Sequence, residues 1–218
     1  MMKTFINIHT HQKNNPNEIA IYNADISEEF TVNSYFSIGI HPWFILQKSL
    51  PEQLSVLKQK LAKKNCLALG EIGLDKITKT DFNLQKEVFI AQLEVNKTFK
   101  KPVILHCVRA FSELTTITKN YNFPFIIHGF NKKKHLALEL INKGFYLSFG
   151  KHLLVQKALQ QTFKEIPINR IFLETDDANI LIESIYKKAA EIREIPLESL
   201  ILAIENNFEK IFKCNNLG

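Results

Sequence analysis

Residues 66–75 read CLALGEIGLD, a short apolar run that leads directly into Glu71 between two glycines. Runs of this length and branching are typical of buried parallel strands. Four other apolar runs lead into further residues of metal-binding type, which are His9 with His11, His106, His128, and Asp176. The carboxyl ends of parallel strands meet on one rim of a barrel, so this pattern predicts a site for two divalent metals.

Strand-like and helical patterns alternate along most of the chain. The strand candidates are Thr4–Ile8, Ile19–Asn23, Tyr35–Ile40, Cys66–Gly70, Val103–Leu105, Phe125–Ile127, Phe145–Phe149 and Ile171–Leu173. The helix candidates cover 50–64, 82–99, 110–120, 133–142, 155–163 and 182–193, with two short helices over 197–212. The alternation predicts an α/β fold, a compact (β/α)8 TIM-type barrel, in a single domain over residues 1–218.

The connection between the first two strand candidates is too short for a standard unit. Only Gln12 to Glu18 separates them, whereas a helical crossover takes a dozen or more residues. The segment Lys13–Asn17 has the composition of a loop. We therefore expect either an irregular pairing here or a barrel that lacks a helix after strand 1.

Composition places the chain among ordinary globular proteins. Apolar residues make up 45% and charged residues 23%. The net charge of +6 permits a polyanionic substrate such as nucleic acid without requiring one. Cys66, Cys107 and Cys214 show no CxxC spacing, which favours free thiols, buried at Cys66 and Cys107, in a reducing compartment. With neither a signal peptide pattern nor a membrane-length apolar run, we expect a soluble, cytoplasmic protein.

The residue types themselves indicate metal-dependent hydrolysis. Residues i and i+2 of a strand share a face, so His9 and His11 can bind one cation. One carboxylate can bridge two metals, a role that suits Glu71. Asp176 can hold a metal and accept the proton of an attacking water. We interpret the neighbouring Glu174 as a salt-bridge residue beneath the rim.

An ordered series of motifs carries a family resemblance. These are NIHTH, SIGIHP, GEIGLD, PVILHCVRA, FIIHGF, FYLSFG, RIFLETD and NNFEKIF, which together span Phe5 to Phe212. The series resembles the TatD family of metal-dependent hydrolases, which are barrel enzymes of the amidohydrolase type. The resemblance implies cleavage of phosphodiester bonds, often in DNA, with two divalent ions of magnesium, manganese or zinc.

The resemblance also implies a role for each matching residue. His9, His11, Glu71 and Asp176 would hold one metal, and Glu71, His106 and His128 the other, with Glu71 as the bridge. Asp176 and Glu71 are then the catalytic residues. The predicted substrate-binding residues are His41, Arg109 and His152. His41 matches a family histidine near the substrate and is a candidate for phosphate contact, and His152 follows the seventh strand on the same rim.

Three departures from the family pattern concern the surroundings of the metals. Asn7 replaces the usual aspartate two residues before the first histidine, so the position loses a charge but keeps its hydrogen-bonding capacity. The usual arginine position holds Val108, with Arg109 one residue later. The proline that usually follows ETD is replaced by Asp177.

Two rim features have competing interpretations. Lys132, Lys133 and Lys134 can meet phosphates or form a solvated helix face, and we favour the helix face. Trp43 can stack on a base or pack against the protein, and packing is the commoner role of a single aromatic.

Two rival functions stay open at this stage. One is a small-molecule hydrolase on the same barrel, acting on an amide, a lactone or a phosphoester. The other is a non-catalytic binding protein, which the complete ligand set disfavours. DNA remains the expected substrate, and no membrane or obligate protein partner is predicted.

Overall fold

Eight strands form one sheet whose order follows the chain from β1 to β8. The computed structural model describes residues 4–12, 18–28 and 34–212. The strands are β1 (Phe5–Thr10), β2 (Glu18–Ala24), β3 (Phe36–Ile38), β4 (Cys66–Asp75), β5 (Val103–Val108), β6 (Phe125–Ile127), β7 (Tyr146–Phe149) and β8 (Ile171–Leu173). Neighbouring strands pair in parallel, as β1 does with β2, β4 with β5 and β7 with β8.

Helices connect the strands from β3 onward. They are α1 (Leu50–Leu61), α2 (Phe82–Phe99), α3 (Phe111–Thr118), α4 (Lys134–Asn142), α5 (His152–Val155), α6 (Lys157–Glu165), α7 (Ile182–Arg193) and α8 (Leu197–Phe212). Strand order and alternation together give a (β/α)8 TIM-type barrel fold, which confirms the predicted fold class. None of the helices in the described part of the chain is long and apolar enough to cross a membrane.

The start of the chain is irregular, as its short connection predicts. β1 pairs with β2 in parallel, although only residues 11–17 separate them. The predicted loop at Lys13–Asn17 lies outside the described residues. The described residues at either end of that gap are not helical, and the β1–β2 register shifts between Asn7 and Thr10.

Three strands continue further than their apolar runs predict and take in candidate ligands. β5 runs through His106 to Val108. β1 continues through Thr10, which places His9 within the strand. β4 continues to Asp75 with all ten residues buried, so Glu71 lies inside a strand and not in a turn after it. Gly73 makes this possible because a Cβ there would lie 2.0 Å from the carbonyl oxygen of His106 on the paired strand β5.

Two helix predictions are wrong. The last segment forms one continuous helix, α8, because a stripe of apolar residues is buried along its whole length, from Leu200 to Phe212. The predicted helix over 155–163 is instead split at Gln156, whose backbone is extended, into α5 and α6.

Internal contacts divide the chain into two compact units. One unit comprises residues 1–22 and 126–218, and the other comprises residues 23–125. Below, they are called the outer unit and the central unit by their position in the sequence. The expectation of a single domain stays a prediction.

Candidate metal centre

The outer unit holds a cluster of two histidines and a carboxylate. Ligand atoms of His9, His128 and Asp176 all lie within 4.8 Å of one another, and we call these residues the His9 cluster. The Oδ1 atom of Asp176 is 3.5 Å from Nε2 of both His9 and His11. His9 is fully buried, whereas the side chain of Asp176 is 28% exposed and that of the adjoining His11 is 45% exposed, so the site reaches from the interior to solvent.

Backbone hydrogen bonds hold the carboxylate beside the histidines. The Asp176 N–H donates to the carbonyl of His9 over 3.0 Å, and the His11 N–H donates to the carbonyl of Asp176 over 3.0 Å. Asp176 has a φ of 54°, in the left-handed region that non-glycine residues seldom adopt. Such backbone strain clusters at functional sites, where surrounding contacts enforce it.

A buried polar network also holds Asp176 beside the histidines. Asn7 is fully buried, donates from Nδ2 to Oγ1 of Thr175 over 2.8 Å, and accepts the Thr175 N–H at Oδ1 over 3.0 Å. The Thr175 hydroxyl in turn donates to Oγ1 of Thr10 over 3.0 Å. Thr10 stands between the two histidines and Thr175 precedes Asp176, so the network fixes the two segments that carry the ligands.

Glu174 has the role that its sequence position predicts. It is fully buried, and its Oε1 accepts the Gly129 N–H over 2.6 Å and lies 3.5 Å from Nδ1 of His128. A carboxylate beside one ring nitrogen fixes the orientation of a histidine that presents its other nitrogen to a metal. Glu174 therefore positions His128 from within the protein.

The central unit holds a second cluster. Ligand atoms of His41, Glu71 and His106 lie within 4.8 Å of one another, and we call these residues the His106 cluster. Oε1 of Glu71 is 2.6 Å from Nδ1 of His106 and 3.2 Å from Nε2 of His41. Asn23 accepts the Glu71 N–H over 3.0 Å, which ties the strand position of this carboxylate to β2.

Asp75 is a site residue that sequence reasoning missed. Its Oδ2 lies 3.2 Å from Nε2 of His106 and accepts the indole N–H of Trp43 over 2.7 Å. With Nε2 of His106 facing Asp75, Nδ1 faces Glu71, which is the pairing that orients a metal-binding histidine. The signal was present in GEIGLD, because an acidic residue ends the strand four positions after Glu71.

The tautomer of His41 follows from its neighbours. The backbone N–H of Trp43 lies 3.2 Å from Nδ1 of His41, and an amide N–H can only donate, so Nδ1 accepts. The neutral ring then carries its proton on Nε2, which donates to Glu71. His41 therefore presents a hydrogen-bond donor, which suits contact with a phosphate oxygen better than direct metal ligation.

Two buried glutamines on α2 anchor the strand ends of the central unit. Gln92 donates to the carbonyl of Ile40 over 3.1 Å and accepts its N–H over 2.6 Å. Gln85 makes the same pair of bonds with the backbone of Asp75, over 3.0 and 2.8 Å. They lie seven residues apart, two helical turns along one face, so α2 fixes the positions of His41 and Asp75.

Hydrogen bonds keep two carboxylates of the site ionised. Burial opposes ionisation of Asp176, but hydrogen bonds from His11 and His9 outweigh it and hold the pKa of Asp176 far below its usual range. Burial also opposes ionisation of Asp75, but hydrogen bonds from Trp43 and Ile77 outweigh it and lower the pKa of that carboxyl. Both groups are therefore carboxylates near neutral pH.

The remaining predicted residues lie outside the two clusters. Arg109 is exposed at the end of β5, with a φ of 55°. His152 begins α5, where its Nδ1 lies 3.1 Å from Nε2 of Gln156. Lys132, Lys133 and Lys134 are exposed, and Lys134 pairs with Glu165, which agrees with a solvated surface.

The two described cysteines differ in exposure. Cys66 is fully buried, and burial raises the pKa of its thiol to about 12. Cys107 is only half-buried, in contrast to the expectation that both would be buried. Cys214 lies outside the described residues.

The donor sets fit divalent metals. Each cluster combines imidazole nitrogens with a carboxylate, the ligand types that bind zinc and other divalent ions of hydrolases. In each cluster the ligand atoms lie within 4.8 Å of one another. The arrangement suits metal binding far better than a Ser- or Cys-based nucleophile, since no such side chain occurs in either cluster.

Comparison with known proteins agrees with this chemistry. The family model described as TatD related DNase matches residues 2–213. An uncharacterized metal-dependent hydrolase of Bacillus subtilis, YabD, is 28% identical over 83% of this chain and 78% of its own length. A putative deoxyribonuclease TATDN1 homolog of Vairimorpha ceranae is 26% identical, covering 77% of this chain and 60% of its own.

A solved structure shows the same fold over the whole chain. YJJV, a TatD homolog from Escherichia coli, superposes with a TM-score of 0.81 at 22% identity, covering 99% of this chain and 100% of its own. The family model, the relatives and the paired clusters of histidine and carboxylate all agree. The chain belongs to the TatD family of metal-dependent hydrolases.

Proposed function

We propose that this protein uses two divalent ions to cleave phosphodiester bonds, with DNA as its substrate. The observation that carries the proposal is the presence of one histidine–carboxylate cluster in each unit, the His9 cluster and the His106 cluster. Two-metal sites of this donor type hydrolyse phosphoesters by acting on both the attacking and the leaving oxygen.

The proposed ligand assignment follows the family pattern. One ion would be held by His9, His11, Glu71 and Asp176, and the other by Glu71, His106 and His128, with Glu71 as the bridge. Within the outer unit, His128 lies beside His9 and Asp176, so its ring would also be available to an ion held by those two residues.

Each protein group has a defined task in this scheme. The ions, when bound, supply an acidified water and positive charge for the phosphoryl oxygens. Asp176, kept ionised by its histidine contacts, orients the attacking water and accepts its proton. When substrate binds, His41 would redirect its Nε2 proton from Glu71 to a phosphoryl oxygen, and Arg109 would add a cation at the end of β5.

Charge and relatives support DNA as the substrate. The chain carries a net charge of +6, which favours association with a polyanion. One relative is named a putative deoxyribonuclease. The cytoplasmic location stays a prediction.

A hydrolysis screen tests the proposal. Single-stranded DNA, duplex DNA, RNA, small phosphodiesters, amides and lactones would be compared with and without Mg²⁺, Mn²⁺ or Zn²⁺. We expect metal-dependent cleavage of DNA, lost in Glu71→Gln and Asp176→Asn. Asp177→Asn is the matched control, because Asp177 is the exposed neighbour of Asp176 and pairs with Lys151. Turnover of amides or lactones alone would overturn the proposal, as would full activity in the two site variants.

A further inference from the structure

Trp43 is a large aromatic side chain that lies beside the His106 cluster and is still more than half exposed. It is 54% exposed, although indole is among the side chains with most to gain from burial. Its ring centroid lies 4.9 Å from that of His41 and 5.7 Å from that of His106, edge-on to both. The indole therefore stands at the mouth of the His106 cluster with part of its surface open.

The ring is held in place and is not a loose surface side chain. Its indole N–H donates to Oδ2 of Asp75 over 2.7 Å, and its backbone N–H donates to His41 over 3.2 Å. Asp75 itself is 3% exposed and is anchored by Gln85 on α2. Because the only polar atom of the indole is already used, the surface that remains open is the aromatic ring itself.

We propose that Trp43 is a base-stacking subsite, which holds an unpaired nucleobase next to the phosphate bound at the clusters. The inference rests on the proposed function, because a base lies beside the metals only if the bound phosphodiester belongs to a nucleic acid. A nucleobase is the part of a nucleic acid that presents a flat π face, and only the sugar separates it from the phosphate. Stacking on aromatic residues accepts any base, since every base has such a face.

Single-stranded DNA is the substrate form that this geometry favours. In a duplex, each base is stacked and paired, so its face is unavailable to a fixed indole. The neighbouring Phe44 is 60% exposed, with its ring centroid 6.4 Å from that of Trp43, and extends the aromatic surface along the same segment. The subsite therefore predicts preference for single strands, frayed ends or gaps over intact duplex.

Fluorescence gives a direct test, because Trp43 is the only tryptophan of the chain. Native protein would be titrated with an oligothymidine strand whose backbone resists hydrolysis, and with a strand of equal length built from abasic residues. We expect quenching of the indole emission by the base-bearing strand and little change with the abasic one. Equal emission changes with both strands, or no change with the base-bearing strand, would overturn the proposal.

Kinetics on cleavable strands provide the second readout. Loss of one stacked base weakens binding by about 5- to 150-fold, so Trp43→Ala should raise KM for oligothymidine by that factor and leave KM for the abasic strand nearly unchanged. Trp43→Phe keeps a ring face and should recover most of the loss. Leu46→Ala is the matched control, since Leu46 is an exposed apolar residue of the same segment without a π face.

The outcomes separate this proposal from the one on which it rests. If native protein cleaves no nucleic acid, the proposed function fails, and the quenching experiment still decides whether a base stacks on Trp43. If cleavage occurs but Trp43→Ala raises KM equally for the oligothymidine and the abasic strand, the substrate assignment stands and the subsite is refuted.

Discussion

Removal of the Asn7 side-chain amide should lower the free energy of unfolding by an amount that follows from its hydrogen bonds. Asn7→Ala breaks two hydrogen bonds to Thr175 and leaves the Thr175 N–H in a fully buried position without its acceptor. Two net hydrogen bonds contribute about 1 kcal/mol each, and an unsatisfied buried group adds about 1–3 kcal/mol. We therefore expect the free energy of unfolding to fall by roughly 3–5 kcal/mol.

The same substitution should weaken metal binding as well as stability. Thr175 precedes Asp176, and its hydroxyl contacts Thr10 between His9 and His11. Loss of a group that orients metal ligands lowers metal affinity by about 10- to 100-fold. Urea unfolding of the metal-free protein and calorimetric titration with Mn²⁺ or Zn²⁺ would measure the two effects separately.

A double-mutant cycle isolates the energy of the contact between Asn7 and the Thr175 hydroxyl. Thr175→Val removes the hydroxyl with little change of shape, and the double variant with Asn7→Ala should show a coupling of about 0.5–3 kcal/mol. Asn7→Asp keeps the acceptor for the Thr175 N–H but brings a carboxylate towards Oε1 of Glu18, which lies 3.3 Å from Nδ2 of Asn7. The reasoning is refuted if Asn7→Ala unfolds at the native urea midpoint and binds metal with native affinity.

Three further substitutions test other parts of the structure. Burial raises the pKa of Glu18, so its contribution to stability is present below the unfolded pKa and is lost as pH rises through the folded pKa. Glu18→Gln should therefore stabilise the protein at pH 7–8 but not below about pH 4. Equal unfolding midpoints of the variant and the native protein at all pH values would contradict this. Tyr186→Phe removes the hydroxyl that bonds both the N–H and the carbonyl of Ile6, and thermal unfolding should show a loss of about 1–3 kcal/mol. Gly73→Ala forces a Cβ against the backbone of His106 at a φ of 149°, so calorimetry should show metal affinity reduced at least about tenfold, and native affinity would show that the close approach is unimportant.

Much of the fold follows from the sequence because its strands are continuous apolar runs. β6, β8, α2 and α7 have the predicted bounds, since turn residues or charge changes mark both ends of each run. The extension of β4 to Asp75 was not predictable in the same way. Glycine is generally disfavoured inside strands, whereas the structure uses Gly73 for close approach to β5.

The candidate site shows the same division between local and long-range information. His9, His106 and Glu71 stand at or within apolar runs, so periodicity alone marks them as candidate ligands. The α2 glutamines act through contacts with residues distant in sequence, and no local pattern distinguishes them from helix-surface residues. Gln85 and Gln92 become informative only once α2 is known to cover the ends of β3 and β4.

The number of divalent ions held per chain tests the central claim most directly. Protein stripped with a chelator, dialysed against Mn²⁺ or Zn²⁺ and analysed by mass spectrometry should contain close to two ions per chain, the count that the proposed two-metal site requires. His9→Ala and His106→Ala, one from each cluster, should each retain fewer ions, whereas the exposed control His135→Ala should retain the native number. A native chain without bound ions, or cluster variants that keep the full number, would contradict the account.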